Sequence, residues 1–247
     1  MPSQSKLYIG TSGFSYPYWK GRFYPAELKQ REWLRFYSQQ FNALELNYTF
    51  YRFPVVKNLE KAAGETPRNF RFSVKVHKIV THSLRVKNSK SKITEFTDIV
   101  TAGLGSKLGC LLFQFPASYT YTDERMNDIL ENIPNHKTSV IEFRHDSWCT
   151  EAVTAQLKKN RISFCNSSFP GLPDTAINTT NLFYKRMHGV PQLFVSSYSK
   201  NDIQQLADSI PEKKECYVFF NNTTYEAGYQ NAKSLRQMLA TKHTVIN

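Results

Sequence analysis

Seven ionisable residues of this 247-residue chain fall inside short apolar stretches, each one position from a bulky hydrophobic neighbour. They are Glu45 in ALELNYTFY, Lys75 and His77 in FRFSVKVH, Glu142 and Arg144 in SVIEFRH, and Arg186 and His188 in FYKRMH. Arginines in pairs suit a phosphate or carboxylate, which a planar guanidinium grips through parallel hydrogen bonds. His188 or His77 beside such a clamp would act as acid or base near neutral pH. Glu45 and Glu142 would serve as acid and base, as the carboxylate pair of a glycosidase-like site, or as metal ligands. The expected catalytic set is Glu45, Glu142 and His188. The expected substrate-binding set is Asn47, Lys75, His77, Gln114, Arg144, Arg186 and Asn221. For any one pair, such as Glu142 with Arg144 or Arg186, an internal salt bridge competes on equal terms, because unpaired buried charge is costly.

The elements that must position these residues follow from periodicity. Strand-like runs occupy Lys6–Gly13, Ala43–Tyr51, Phe70–His77, Cys110–Phe115, Ser139–His145, Ile162–Ser167, Phe183–His188 and Cys216–Asn221. Helical patterns cover Glu27–Gln40, Val56–Glu65, Ile93–Ser106, Asp123–Asn132, Thr150–Asn160, Lys200–Ser209 and Tyr225–Leu239, the first after a Pro25 start signal. Gly103-Leu104-Gly105 reads as a C-terminal cap. The turn-rich stretch SSFPGLPDTAINTTN leaves the sixth strand without a helix. Eight strands in about 250 residues, every one but the sixth followed by a helix, make the pattern of an α/β fold of (β/α)8 type. An open doubly wound sheet is the competitor, but no G-x-G-x-x-G opens a helix after a strand. No linker or low-complexity tract divides the chain, so residues 1–247 are expected to form one domain.

In a barrel the outward face packs under helices and is apolar. Leu44, Leu46, Phe72, Val74, Val76, Ile141 and Phe143 therefore point out. Glu45, Asn47, Ser73, Lys75, His77, Gln114, Glu142, Arg144, Arg186, His188 and Asn221 point in, joined by Ser12, with Asn166 at the end of the sixth strand. Lys185 breaks the rule. Active sites of such barrels sit at the carboxyl ends of the strands, where this polar set collects.

The same motifs carry a resemblance. IGTSGFSYPYWKGRFYP, FNALELNYTFYRFP, FSVKVHKIVTH, KLGCLLFQFP, EFRHDSW, YKRMHG and FNN occur in order from about Ile9 to Leu239 and resemble the YecE-like family, domain of unknown function 72. The resemblance implies a TIM-type barrel and no particular reaction. Two positions depart from it: Asn166, where members often carry an acidic residue, and Ala117, where members often carry a second proline.

Composition bounds the partners. Lys plus Arg is 32 against 20 for Asp plus Glu, a net charge of +12 that favours polyanions. Thr66 to Thr94 holds no acidic residue and eight cations, including Arg85, Lys87, Lys90 and Lys92. Loops after the strands add aromatics: Trp19, Tyr24, Tyr51, Tyr119, Tyr121 and Trp148. Such rings beside cations suit nucleic acid, a nucleotide or a sugar, although Trp19 and Trp148 are expected to pack. Six histidines occur without H-E-x-x-H or a cysteine cluster, so a divalent metal is allowed by the sequence but not favoured. Were a divalent ion bound, Glu45, His77, Glu142 and His188 would be its ligands. No apolar run approaches the roughly 20 residues of a membrane span, and the start resembles no signal peptide. Four dispersed cysteines point to a reduced, cytoplasmic protein. The leading expectation is action on a phosphate-bearing substrate, a nucleic acid or nucleotide. The alternatives are a non-catalytic nucleic-acid binder and a carbohydrate-active or isomerase-like barrel using the paired glutamates.

Overall fold

A computed structural model describes residues 6–174, 176–212 and 214–245, with side chains as far as residue 240. Its strands are β1 (Leu7–Thr11), β2 (Ala43–Leu46), β3 (Arg71–Lys75), β4 (Leu108–Gln114), β5 (Ser139–Glu142), β6 (Ser163–Ser168), β7 (Leu182–Met187) and β8 (Glu215–Phe220). All neighbours are parallel, in the order β1-β8-β7-β6-β5-β4-β3-β2, which is a (β/α)8 barrel. The helices are α1 (Trp33–Gln40), α2 (Val56–Gly64), α3 (Lys90–Leu104), α4 (Asp123–Asn132), α5 (Glu151–Lys159), α6 (Lys200–Ser209) and α7 (Ala227–Val245). Among the described residues no helix follows β6, as the turn-rich sequence there implies.

Two helix starts differ from expectation for physical reasons. Pro25 opens only one turn, with the Leu28 N–H donating to the Pro25 carbonyl, and Lys29 then returns to extended backbone (φ −72°, ψ 144°), so α1 waits until Trp33. The third helix begins at Lys90 rather than Ile93 because Asn132, at the end of α4, accepts from the N–H groups of Ser89 and Lys90. At its far end Gly105 takes φ 51° at the C-cap, a conformation only glycine adopts freely.

Between β1 and β2 the barrel closes without a ladder. A single bridge joins Ser12 to Glu45, with the Gly13 N–H donating to the Glu45 carbonyl at 2.9 Å. Below it, side chains stand in for the missing backbone bonds. The Asn42 amide accepts from the Ile9 N–H (2.9 Å) and donates to the Leu7 carbonyl (2.7 Å). The Tyr37 hydroxyl accepts from the Thr11 N–H (2.8 Å) and donates to the Ala43 carbonyl (3.0 Å). The approach is so tight that a Cβ on Gly10 would lie 1.9 Å from the Ala43 carbonyl oxygen.

The core has two layers. Leu44, Leu46, Phe72, Val74, Val76, Ile141 and Phe143 pack outward under the helices, as the alternation requires. Tyr8, Ala43, Cys110, Leu112, Val140, Cys165, Leu182, Tyr184, Tyr217 and Phe219 fill the lower barrel. Tyr8 and Tyr217 stack there at 4.7 Å, and Tyr184 lies 6.0 Å from Tyr217. This apolar floor is the base on which the polar residues stand. Lys185 points outward, buried, and pairs with Asp174 of the loop that replaces the missing helix. That loop and α6 leave a cavity of about 390 Å³ against β7, which holds the amine. Among the described residues no helix is long and apolar enough to cross a membrane.

Candidate functional site

Directly above the floor sits a buried ion network. Arg186 reaches inward from β7 and donates from Nη1 to Glu142 Oε2 and from Nη2 to Glu45 Oε1, both at 2.6 Å. One guanidinium thus joins two carboxylates from opposite sides of the barrel, and all three side chains are at most 1% exposed. Glu45 also accepts from the Ser12 hydroxyl (2.6 Å) and from the Tyr184 hydroxyl (2.7 Å), which lies 2.6 Å from Ser73 Oγ. Glu142 Oε1 accepts from Ser167 (2.8 Å) and His188 Nε2 (2.8 Å) and lies 3.2 Å from Arg144 Nη2. Burial alone would raise the Glu142 carboxyl, but Arg144, Arg186 and His188 outweigh it and hold it well below the usual carboxylate range. His188 is pushed down to about 3, first by burial and then by Arg186. The Glu142 carboxylate can only accept, so Nε2 carries the proton and Nδ1 accepts from Asn221 Nδ2 at 2.9 Å.

Above the network opens a cleft of about 430 Å³, lined by Lys75, Arg144, Arg186, Asn47, Gln114 and Asn221, with His82 at its side and Phe50, Tyr51, Phe169 and Phe194 as apolar walls. The Arg144 side chain is 10% exposed and lies over the Phe169 ring at 4.2 Å. Nε of Arg144, Nε of Arg186 and Oδ1 of Asn47 are buried without a hydrogen-bond partner. Unpartnered buried polar groups are rare in folded proteins, so these three atoms keep hydrogen-bonding capacity to spare. Lys75 Nζ lies 3.9 Å above the Phe50 ring. Burial first, then the Arg186 charge, lowers its pKa to about 7.

The structure therefore sorts the expected residues into two tiers. Lys75, Arg144, Arg186, Asn47, Gln114 and Asn221 meet the cleft. Glu45, Glu142 and His188 lie beneath the guanidinium groups, 0% exposed, and form no part of its wall. His77 is not brought in. Strand β3 ends at Lys75, and the His77 ring turns onto Phe53 (4.9 Å) while Nδ1 accepts from the Ile79 N–H. His82, from the following turn, takes a place on the wall instead. Asn166 faces outward, in register with Lys185, and its amide pins Ile177 of the next loop. Ser167 is the inward residue of β6, beside Arg186. Sequence reasoning passed over Ser167 and Tyr184, although strict alternation on β6 and β7 puts both on the inner face. Trp19 and Trp148 are fully buried and pack, their indole N–H groups donating to the Tyr225 and Tyr119 carbonyls. Among the described residues no group of three or more His, Cys, Asp or Glu side chains could hold a metal ion.

Comparison with known proteins agrees with this architecture. A family described as "Protein of unknown function DUF72" matches residues 8–247. The UPF0759 protein YunF of Bacillus subtilis (strain 168) is 29% identical over 153 residues, 58% of this chain and 52% of that protein. The chain thus spans about half the length of the curated relative it matches. A crystal structure of a DUF72 family protein from Thermotoga maritima MSB8 superposes with a TM-score of 0.87 at 30% identity, covering 95% of this chain and 99% of that one. A DUF72 family protein from Enterococcus faecalis V583 gives 0.80 at 22% identity, covering 95% of both, which speaks to the fold alone.

Proposed function

Since this chain belongs to the DUF72 family, which brings a barrel but no reaction, we propose from its own cleft that it binds a small phosphate-bearing molecule, of nucleotide size, at the carboxyl ends of the strands. One observation carries the reading: two arginines line the cleft and each keeps a buried Nε with no acceptor. A phosphate supplies acceptor oxygens in the geometry a guanidinium prefers. Lys75 adds charge on the same wall, and Asn47 Oδ1 offers an acceptor to a ligand hydroxyl or amino group. Tyr51 (67% exposed) and Phe194 (41% exposed) flank the mouth, where a base ring could stack. Glu45, Glu142 and His188 act as positioning residues in this reading, holding Arg186 and Arg144 from below. Their burial under those guanidinium groups favours anion binding over glycoside chemistry carried by the two carboxylates. The cytoplasm suits a chain with four free cysteines.

Isothermal titration calorimetry with inorganic phosphate and with a nucleoside 5′-monophosphate tests the proposal. Phosphate should bind and compete with the nucleotide, and Arg144→Ala should abolish both while the protein stays folded. No heat from either ligand at low ionic strength would end the reading. The exposed aromatic mouth also favours a second form of it, in which single-stranded nucleic acid lies across the cleft. Fluorescence anisotropy of labelled DNA and RNA oligomers through a salt titration separates the two, because only the polymer releases many counterions.

A further inference from the structure

The anion reading uses Lys75 only as a charge, yet its surroundings differ from those of a phosphate-binding lysine. Among the described residues its Nζ has no hydrogen bond and no ion pair, although Glu45 and Glu142 stand in the layer below, wholly engaged by Arg186, Tyr184, Ser12, Ser167 and His188. The amine rests on the Phe50 ring and faces the open cleft. That ring is fixed, because Thr49 beside it donates to both the Leu46 and Lys75 carbonyls and so ties the turn after β2 to the end of β3. His82 packs on the edge of the same ring at 5.0 Å. A lysine kept from ion pairs with carboxylates, set on an apolar surface and sharing its cleft with the Arg186 cation is the arrangement that frees an amine to attack.

We propose that Lys75 is a nucleophile that forms an imine with an aldehyde or ketone whose anionic group is held by Arg144 and Arg186. In the neutral amine the nitrogen lone pair attacks the carbonyl carbon, and the C=O π pair moves to oxygen, which takes up a proton. Nitrogen gives up a proton, the C–N bond having formed. The carbinolamine then expels its hydroxyl as water after a second protonation, and the nitrogen pair closes the C=N bond to give the protonated imine. The imine becomes neutral when its remaining N–H proton returns to the base. No oxidant or reductant is needed. The lowered pKa leaves much of the amine neutral near pH 7. His82, on the same wall, can relay the protons.

This inference rests on the anion reading for its substrate class, so the test reads the two separately. The whole protein is incubated with stoichiometric pyridoxal 5′-phosphate, reduced with borohydride and mapped by peptide mass spectrometry, with pyridoxal and excess inorganic phosphate as comparisons. The expected result is reduced probe on Lys75 at least tenfold above any surface lysine, lost in Lys75→Arg and suppressed by phosphate. Labelling of Lys75 by pyridoxal equally well, with no phosphate effect, would sustain the imine and remove the anion site. Phosphate binding by calorimetry with Lys75 labelled no more than surface lysines would overturn the imine and leave the anion site standing.

Discussion

The Glu142 Oε1 to His188 Nε2 contact of 2.8 Å holds a neutral imidazole against a charged carboxylate in a space closed to solvent. Its consequence is acid sensitivity. The folded His188 pKa is about 3 against 6.5 for an unperturbed histidine, so within that window the unfolded chain binds a proton that the folded chain refuses. The stabilisation is complete above pH 6.5 and is lost as pH falls toward 3, at up to about 1.4 kcal/mol per pH unit. Below 4.5, protonation of Glu142, whose folded pKa is also lowered, adds a loss of the same sign. Urea melts at intervals from pH 7 to 4.5 should show falling stability, and His188→Gln should flatten the slope. His77 and His82, also lowered, leave a residual slope. An unchanged slope in the variant would mean that His188 is not buried neutral.

Arg186 should matter more to folding than any other cleft residue. Arg186→Met strands two buried carboxylates and should cost about 3–5 kcal/mol. Adding Glu45→Gln and Glu142→Gln removes the stranded charges and should recover much of that loss. If Arg186→Met alone is neutral in chemical denaturation, the network does not hold the barrel together.

Arg144 offers the contrast. Its guanidinium lies on the Phe169 face at the cleft wall, and Glu142 keeps Arg186, His188 and Ser167 without it. Arg144→Ala should weaken phosphate binding at least tenfold while lowering the melting temperature less than Arg186→Met does, since Arg144 also helps to hold Glu142 ionised. A thermal shift as large as that of Arg186→Met would reassign Arg144 to the structural network.

The exposed cations of the third βα loop and of the first turn of α3 line no part of the cleft, and Lys87 and Lys92 already pair with Glu124 and Glu95. Replacing Arg85, Lys87, Lys90 and Lys92 by Gln should leave phosphate affinity within about twofold. Any single-stranded DNA binding should meanwhile lose part of its salt dependence. Loss of phosphate binding in this variant would move the site away from the strand ends.

Gly10 tests the seam. In Gly10→Ala the added carbon meets the Ala43 backbone carbonyl, which cannot step aside as a flexible side chain would. Destabilisation of about 3 kcal/mol or more is expected on denaturation, as for other overpacked positions. Little change would mean that β1 and β2 separate freely.

All eight strands were legible as short runs rich in aromatic, β-branched or other apolar residues between turn and helix signals. On β2, β3 and β5 a two-residue period also named the inward residues Glu45, Ser73, Lys75 and Glu142. It failed at His77 because the alternation was extended past Lys75, where the chain leaves the sheet. At β6 the amide of Asn166 is the more conspicuous side chain, whereas the register with Arg186 selects Ser167. The second tier was beyond sequence reasoning of this kind. Arg186 and Glu45 lie 141 positions apart, and no local pattern says that one guanidinium takes up both glutamates and hides them from the cleft. Lys185 became intelligible only once the loop after β6 was seen to leave a cavity where a helix would lie.

The missing ladder between β1 and β2 also bears on how the chain is made. Leu7–Thr11 has its one full set of backbone partners on β8, which follows the other seven barrel strands in the sequence. β1 must therefore wait, its edge unsatisfied, until Glu215–Phe220 is made, while strands β2 to β7 can already pair in order. Contacts of such long sequence separation form late and leave an exposed edge open to wrong partners. The Asn42 and Tyr37 side chains give the waiting strand a provisional berth beside β2. In a growing polypeptide they would act as a placeholder for a neighbour not yet translated.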